Sequence, residues 1–226
     1  MEKNMNKTKV KKQVMDAYGF RHACKIFDAD KKIGDEDFDF VLETAHLSPS
    51  SFGFEPWSFV VLQDARIREL LVPYAWGATK QLPTASHFVI LLAKKSVDMK
   101  HGSDYVRYMM KEIQQLPDDV ADEKNEKYKH FQESDFDIAD ERTMFDWAGK
   151  QCYIALGNMM SAAAMIGIDS CPVEGFDRKL LEKVLADEGV LDRQKYGVAV
   201  MAGFGYRIKQ PREKTRRSKA DKIRTV

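Results

Sequence analysis

The stretch over residues 146–166 (DWAGKQCYIALGNMMSAAAMI) constrains the fold more than any other part of the chain. It is strongly helix-forming and apolar on nearly every face, with the small residues Ala148, Ala155, Gly157, Ala162 and Ala163 spread along it. A helix without a polar face has to be covered all round. In a chain of 226 residues its own sheet can cover one side, and a second subunit is the natural cover for the other. The alternative is an internal core helix of a monomer.

Partners for that helix are legible on both sides of it. Residues 9–20 form a helical pattern with Val10, Val14, Ala17 and Tyr18 on one face. Asp35 reads as the N-cap of a helix carrying Phe38, Val41, Leu42 and Ala45, which ends before Pro49. Residues 66–76 and 177–187 read as further helices. Residues 58–63 (SFVVLQ), 87–94 (HFVILLAK) and 196–205 (YGVAVMAGFG) are short, nearly continuous apolar runs, as expected of strands covered on both faces. The class is therefore α+β, with helices around a central mixed β-sheet. No repeat or low-complexity linker interrupts the pattern, so residues 1–226 read as a single domain. It carries a polar, helix-rich excursion over 102–142, interrupted at Pro117, and a basic tail over 207–226.

Charge and cysteine usage narrow the partners. Lys and Arg total 36 against 35 acidic residues, so no global field steers the chain toward nucleic acid, and an anion site has to be a local cluster. Cys24, Cys152 and Cys171 form no CxxC pair, which suits reduced thiols in the cytoplasm. The basic N-terminus has no apolar stretch of the secretory type, and the run FVILLA at 88–93 falls far short of the roughly 20 residues that span a bilayer.

Several segments offer groups for chemistry. Arg21, His22 and Lys25 lie close together near one end, and Lys214, Arg216 and Arg217 near the other; joined, they would grip a phosphate, and apart they are solvated surface charge. Ser48–Ser51 (SPSS) offers hydroxyls and free amides in a turn, which suit either a heterocycle or the end of a helix. The run at 172–176 (PVEGF) reads as a compact turn whose amides can face a cleft, with Gly175 permitting close approach. Trp57 reads as core and Cys152 as inert packing, whereas Cys24 and Cys171 flank the would-be site. The histidines show no metal spacing, no GxGxxG follows a strand, and no GxSxG elbow is present.

Taken in order, the segments FRHACKIFD, LSPSSFGFEPWSFVVL, LPTASHFVILLAK, GNMMSAAAMIGIDSCPVEGFD and FGYR…KTR resemble the nitroreductase family over residues 18–216. The resemblance implies a three-layer fold and a homodimer whose C-terminal tails embrace the partner. It also implies an FMN at each of two interface sites, with the 146–166 helix in the interface. It implies a ping-pong cycle in which NADH or NADPH gives a hydride to flavin N5 and a nitroaromatic, quinone or free flavin then takes it. Position by position, Arg21 and His22 match residues at the phosphate and ribityl side, and Lys214 and Arg216 match the pair that grips the phosphate. Lys25 matches the lysine near the flavin N1–O2 edge, where a cation stabilises charge on the reduced ring. Pro49, Ser50 and Ser51 match the segment supplied beside the ring by the other subunit. Pro172 and Val173 lead into Glu174 and Gly175, which match the turn whose amides face N5; with Lys25 these two are the catalytic candidates.

The chain departs from the family pattern in places. Ala23 stands where many members carry Ser, Gly53 where many carry Asn, Glu55 where many carry Asn or Gln, and Gln81 roughly where others place a polar flavin contact. Tyr105, Tyr108, Phe131 and Phe136 in the excursion are candidates to gate the pocket mouth. Two other readings remain open: an FMN-binding or FMN-storing protein without useful turnover, and a flavin-fold enzyme of different chemistry such as a reductive dehalogenase. DNA binding by the basic tail is a third, and neither metal nor membrane is expected.

Overall fold

The architecture follows from two long apolar strands that pair at the centre of one sheet. The computed structural model describes residues 7–226. The expectation about a secretory stretch falls partly on residues 1–6, outside the described residues. Strands β1 (Trp57–Val61), β2 (His87–Lys94), β3 (Asp169–Val173) and β4 (Tyr196–Gly205) form a sheet in the order β1-β2-β4-β3. Every ladder is antiparallel. The expected mixed sheet is thus corrected: the parallel pairing among the described residues is an isolated bridge, Ala23 with Ser170, on the outer side of β3. A continuous apolar run reports cover on two faces, and helices supply that cover to antiparallel strands as well as to parallel ones.

The helices in chain order are α1 (Lys7–Phe20), α2 (Asp35–His46), α3 (Ala65–Leu71), α4 (Gln81–Thr84), α5 (Ser96–Met99), α6 (Asp104–Tyr108), α7 (Asp118–His130), α8 (Glu141–Met165) and α9 (Arg178–Asp187). Along β2, side chains alternate between two cores, as the pleat requires. Val89, Leu91 and Ala93 pack with Phe38 and Val41 of α2 and Trp147, Cys152 and Ala155 of α8. Phe88, Ile90 and Leu92 pack with Leu71 of α3, Leu82 of α4 and Leu181 and Leu185 of α9. The result is helix, sheet, helix. Trp57 lies in the first core, as expected.

Helix boundaries move where caps decide them. Gly34, not Asp35, is the N-cap of α2, and Asp35 opens its acidic first turn, where it favours the helix dipole. The central helix begins at Glu141 because Asp140 and Thr143 form a reciprocal capping box. Its burial also departs from expectation. Met144, Trp147, Ala148, Cys152, Ala155, Met159 and Ala163 are buried, while Tyr153, Ile154 and Met165 stay 41–51% exposed. One stripe of the helix therefore remains open in the single chain.

The 102–142 excursion is helical and firmly packed. Two π-helical turns interrupt it, marked by Gln114 N–H donating to Met109 O and Phe136 N–H to Phe131 O, each at 2.9 Å. Pro117 serves as the N-cap of α7. Tyr128 sits 4.9 Å from the Phe52 ring and 4.8 Å from Phe54, tying α7 to the loop after α2. That loop is strained at Phe52 (φ 59°), and its carbonyls are held by Lys124 Nζ (3.0 Å to Phe52) and Gln114 Nε2 (2.9 Å to Gly53). Among the described residues no helix is long and apolar enough to cross a membrane.

Candidate functional site

The two basic clusters meet. After α1 ends at Phe20, the chain pairs with the outer edge of β3, Cys24 N–H donating to Ser170 O at 3.2 Å. After β4 the chain turns back across the same segment, with Asp28 N–H donating to Tyr206 O (2.8 Å) and Phe27 bridging Arg207. Arg21, His22, Ala23 and Lys25 thereby line one cleft of about 690 Å³ together with Lys214 and Arg216.

Two residues that the sequence reading did not single out hold this junction. Asp169, whose side chain is 2% exposed, accepts from Arg207 Nη2 at 2.6 Å and Nε at 2.9 Å, and from the Arg207 backbone N–H at 2.9 Å. Arg207 also donates to Phe20 O (3.1 Å) and lies 4.0 Å over the Phe20 ring, fastening the end of α1. His22 Nδ1 lies 3.4 Å from Asp169 Oδ1, within ion-pair range but out of hydrogen-bond alignment. Burial and the Arg207 charge hold His22 below the ordinary histidine value, so it is neutral at pH 7. Burial and repulsion from Arg21, Arg216 and Arg207 likewise lower Lys214. Among the described residues no carboxylate pairs with Arg21, Lys214 or Arg216. Unneutralised cations gathered in one cleft are what a phosphate requires.

Deeper in, Lys25 Nζ lies 3.5 Å from Cys171 Sγ, and Gln81 Nε2 donates to the same sulfur at 3.1 Å. Gln81 is fully buried, and its Oε1, like Ser170 Oγ, has no hydrogen-bond partner among the described residues. Burial raises the Cys171 thiol, partly opposed by Lys25 and Gln81, and pushes Cys24 up to about 11 and Cys152 to about 12. All three thiols are buried and protonated, so Cys24 and Cys171 flank the cleft without being poised to react.

The 172–176 run is only partly a turn. Its first half belongs to β3, where Pro172 is tolerated because an edge strand leaves one side unpaired. The turn proper is clamped from two sides. Gly77 N–H donates to Gly175 O (2.7 Å) and Asp177 N–H to Tyr74 O (2.8 Å), while the Tyr153 hydroxyl donates to the Glu174 carboxylate. A Cβ on Gly175 would stand 2.9 Å from Gly77 Cα and 2.9 Å from Trp76 Cε3 and Cζ3. Close approach of the chain's own 74–77 loop therefore demands this glycine, a reason the sequence reading did not contain.

Pro49, Ser50, Ser51 and Gly53 do not line the basic cleft. Ser50 Oγ accepts from Glu55 N–H (2.9 Å), and Ser51 N–H donates to Gln151 Oε1 on α8 (3.0 Å). Of the four gating candidates, Tyr105 is pinned by its hydroxyl to Phe54 O and Glu55 O at 3.0 Å and Phe131 is packed in the aromatic cluster, whereas Tyr108 and Phe136 are exposed.

Comparison with known proteins bears on the fold and the family. The sequence profile of the nitroreductase family matches residues 19–206. A Bacillus subtilis protein provisionally named NAD(P)H nitroreductase YfkO is 51% identical over 218 residues, covering 96% of this chain and 99% of its own. Among solved structures, a protein from Staphylococcus epidermidis provisionally described as an NAD(P)H:FMN oxidoreductase superposes with a TM-score of 0.77 at 19% identity, covering 94% of this chain and 95% of its own. A provisional nitroreductase from Exiguobacterium sibiricum, solved in complex with FMN, gives 0.74 at 19% identity, covering 94% and 97%. Those two likenesses speak to the fold; the profile match and the close relative settle the lineage, and the chain belongs to the nitroreductase family.

Proposed function

We propose that the protein is an FMN-dependent NAD(P)H oxidoreductase that reduces nitroaromatics, quinones or free flavins. The observation that carries this reading is the cleft where Arg21, Lys214 and Arg216 converge, none of them in an ion pair with a carboxylate among the described residues. Family membership, the name of the close relative and the FMN held by a neighbour of the same fold support it.

The residues present fit the cofactor. Arg21, Lys214 and Arg216 bind its phosphate; Ala23 contributes no hydroxyl there, and Asp169 and Arg207 fix the backbone that carries them. Gln81 Oε1, buried and unpartnered, is an acceptor for an N–H of the ring system. Lys25 would supply a cation to stabilise negative charge on the reduced ring, and the 174–175 amides would serve as donors to it. When bound, the flavin would supply two-electron chemistry between NAD(P)H and the acceptor. Residues 1–226 form one domain, with 102–142 shaping the pocket mouth. Two copies pair through the open stripe of α8, which brings Pro49, Ser50, Ser51 and Gly53 to the other subunit's site and lets each 207–226 tail embrace its partner. The protein acts in the cytoplasm, where its three unpaired cysteines stay reduced.

The test is an absorption spectrum of the purified protein before and after NADH or NADPH. The expected result is about one FMN per chain, with flavin bands that bleach on addition and return with a quinone. A protein that neither carries nor takes up FMN refutes the reading, and full loading without acceptor reduction points to storage. Lys25→Met should lower turnover per bound flavin more than flavin occupancy.

A further inference from the structure

Trp76 is the most exposed aromatic residue described, with 74% of its surface open. Its position is not that of a loose loop. Ala75 and Ala78 on either side are buried, and Gly77 N–H, Ala78 N–H and Asp177 N–H make hydrogen bonds of 2.7–2.8 Å that fix the 74–78 segment to itself and to the Gly175 turn. The benzene edge of the indole lies against Gly175, with Cε3 and Cζ3 2.9 Å from where a Cβ would stand. Among the described residues no other ring stacks on it and no cation caps it.

A rigid segment thus holds an electron-rich ring open beside the turn. Indole presents a negative face, and nitro- and quinone-substituted rings present the opposite polarity, so an offset face-to-face stack between them is favourable. We propose that Trp76 is the specificity-determining residue for the electron acceptor, stacking on electron-poor planar rings beside Gly175. This rests on the reading of the 174–175 turn given under Proposed function. It goes beyond that reading in assigning acceptor choice to a residue outside the flavin contacts.

The experiment compares the FMN-loaded protein with Trp76→Ala and Trp76→Phe. Nitrobenzene is titrated against tryptophan emission, and steady-state NAD(P)H oxidation is measured with nitrobenzene, 1,4-benzoquinone and ferricyanide, a non-planar acceptor. A saturable quenching component should be present in the parent and absent from both variants. The KM for nitrobenzene and benzoquinone should rise about tenfold in Trp76→Ala and much less in Trp76→Phe, with ferricyanide turnover and flavin content unchanged. An unchanged KM in Trp76→Ala overturns the proposal. So does an equal loss with ferricyanide, which marks a structural role, or a change in oligomeric mass, which marks a subunit contact. Saturable quenching that vanishes in both variants of a protein without flavin or NAD(P)H oxidation would keep the arene-binding role of Trp76 and refute the oxidoreductase reading.

Discussion

Gly175→Ala tests whether the turn is set by the chain's own packing. The added Cβ would stand 2.9 Å from three carbons, Gly77 Cα and Trp76 Cε3 and Cζ3, where an ordinary carbon contact is about 3.5–4.0 Å. The indole is exposed and can swing away, but Gly77 Cα is backbone, held by the 2.7 Å bond from its own N–H to Gly175 O. The turn must therefore move by roughly 0.5–1 Å, the shortfall in that contact distance. Overpacking of this kind costs about 1–3 kcal/mol, which for a chain of this size lowers Tm by roughly 2–12 °C. A displacement of up to an ångström at a reacting centre costs up to about a hundredfold in rate. Thermal unfolding and NAD(P)H oxidation per bound flavin measure the two effects separately. Pairing the substitution with Trp76→Ala should restore little, because the backbone contact stays. A Gly175→Ala protein with parental Tm and full turnover would refute the clamp, and a double variant fully restored would shift the cause from Gly77 to the indole.

Three further perturbations probe the frame around the site. Asp169→Asn keeps the volume of a side chain that is 2% exposed but strands the Arg207 guanidinium; urea unfolding should show a loss of about 3 kcal/mol, and a loss below about 1 kcal/mol would mean that Arg207 is satisfied without the carboxylate. His22 and His87 are both held below the ordinary histidine value of 6.5, chiefly by burial and then by Arg207 and Arg68. The unfolded chain therefore binds protons that the folded one excludes, so this contribution is complete above about pH 6.5 and is lost as pH falls through the folded values. Tm should drop between pH 7 and pH 5, less steeply in His22→Gln, and an identical slope in that variant would remove His22 from the account. Gly157, with no atom within 4 Å of an added Cβ, lies on the open side of α8. In an isolated helix Gly157→Ala adds about 0.5–1 kcal/mol, whereas in a packed interface it weakens the dimer. Sedimentation at falling concentration should show weaker association, and a stabilised variant with an unchanged dimer would place Gly157 outside the contact.

How much was legible depended on whether a feature was local. β2 and β4 declare themselves as unbroken apolar runs, and α8 as a long stretch without a polar face. β3 does not: a five-residue edge strand containing Pro172 has the composition of a turn, and only pairing with β4 makes it a strand. The basic clusters were visible, but their meeting was not, because it depends on Cys24 reaching Ser170 and on the chain reversing after Gly205. Resemblance to a family supplied that junction; spacing had no means to. Asp169 and Arg207 were missed for the same reason: 38 positions apart, they look like two ordinary charges until the fold buries them together. The sequence pattern runs helical through Trp76, whereas α3 stops at Leu71 and a 3₁₀ turn carries the chain to the loop that presents the indole.

The bond from Arg207 to the carbonyl of Phe20 spans 187 positions, and that separation has a consequence for synthesis. Ribosomes add roughly 5–20 residues per second, so the segment carrying Arg21 and Lys25 emerges about 10–40 s before the residues that complete its cleft. During that interval the nascent chain can pair β1 with β2 but lacks Lys214 and Arg216, the other half of the proposed phosphate cluster. On the proposed reading of that cleft, cofactor capture is confined to chains that are essentially finished. A product truncated before Arg207 would keep most of its sheet, yet on the same reading it would be marked as incomplete by its inability to take up flavin.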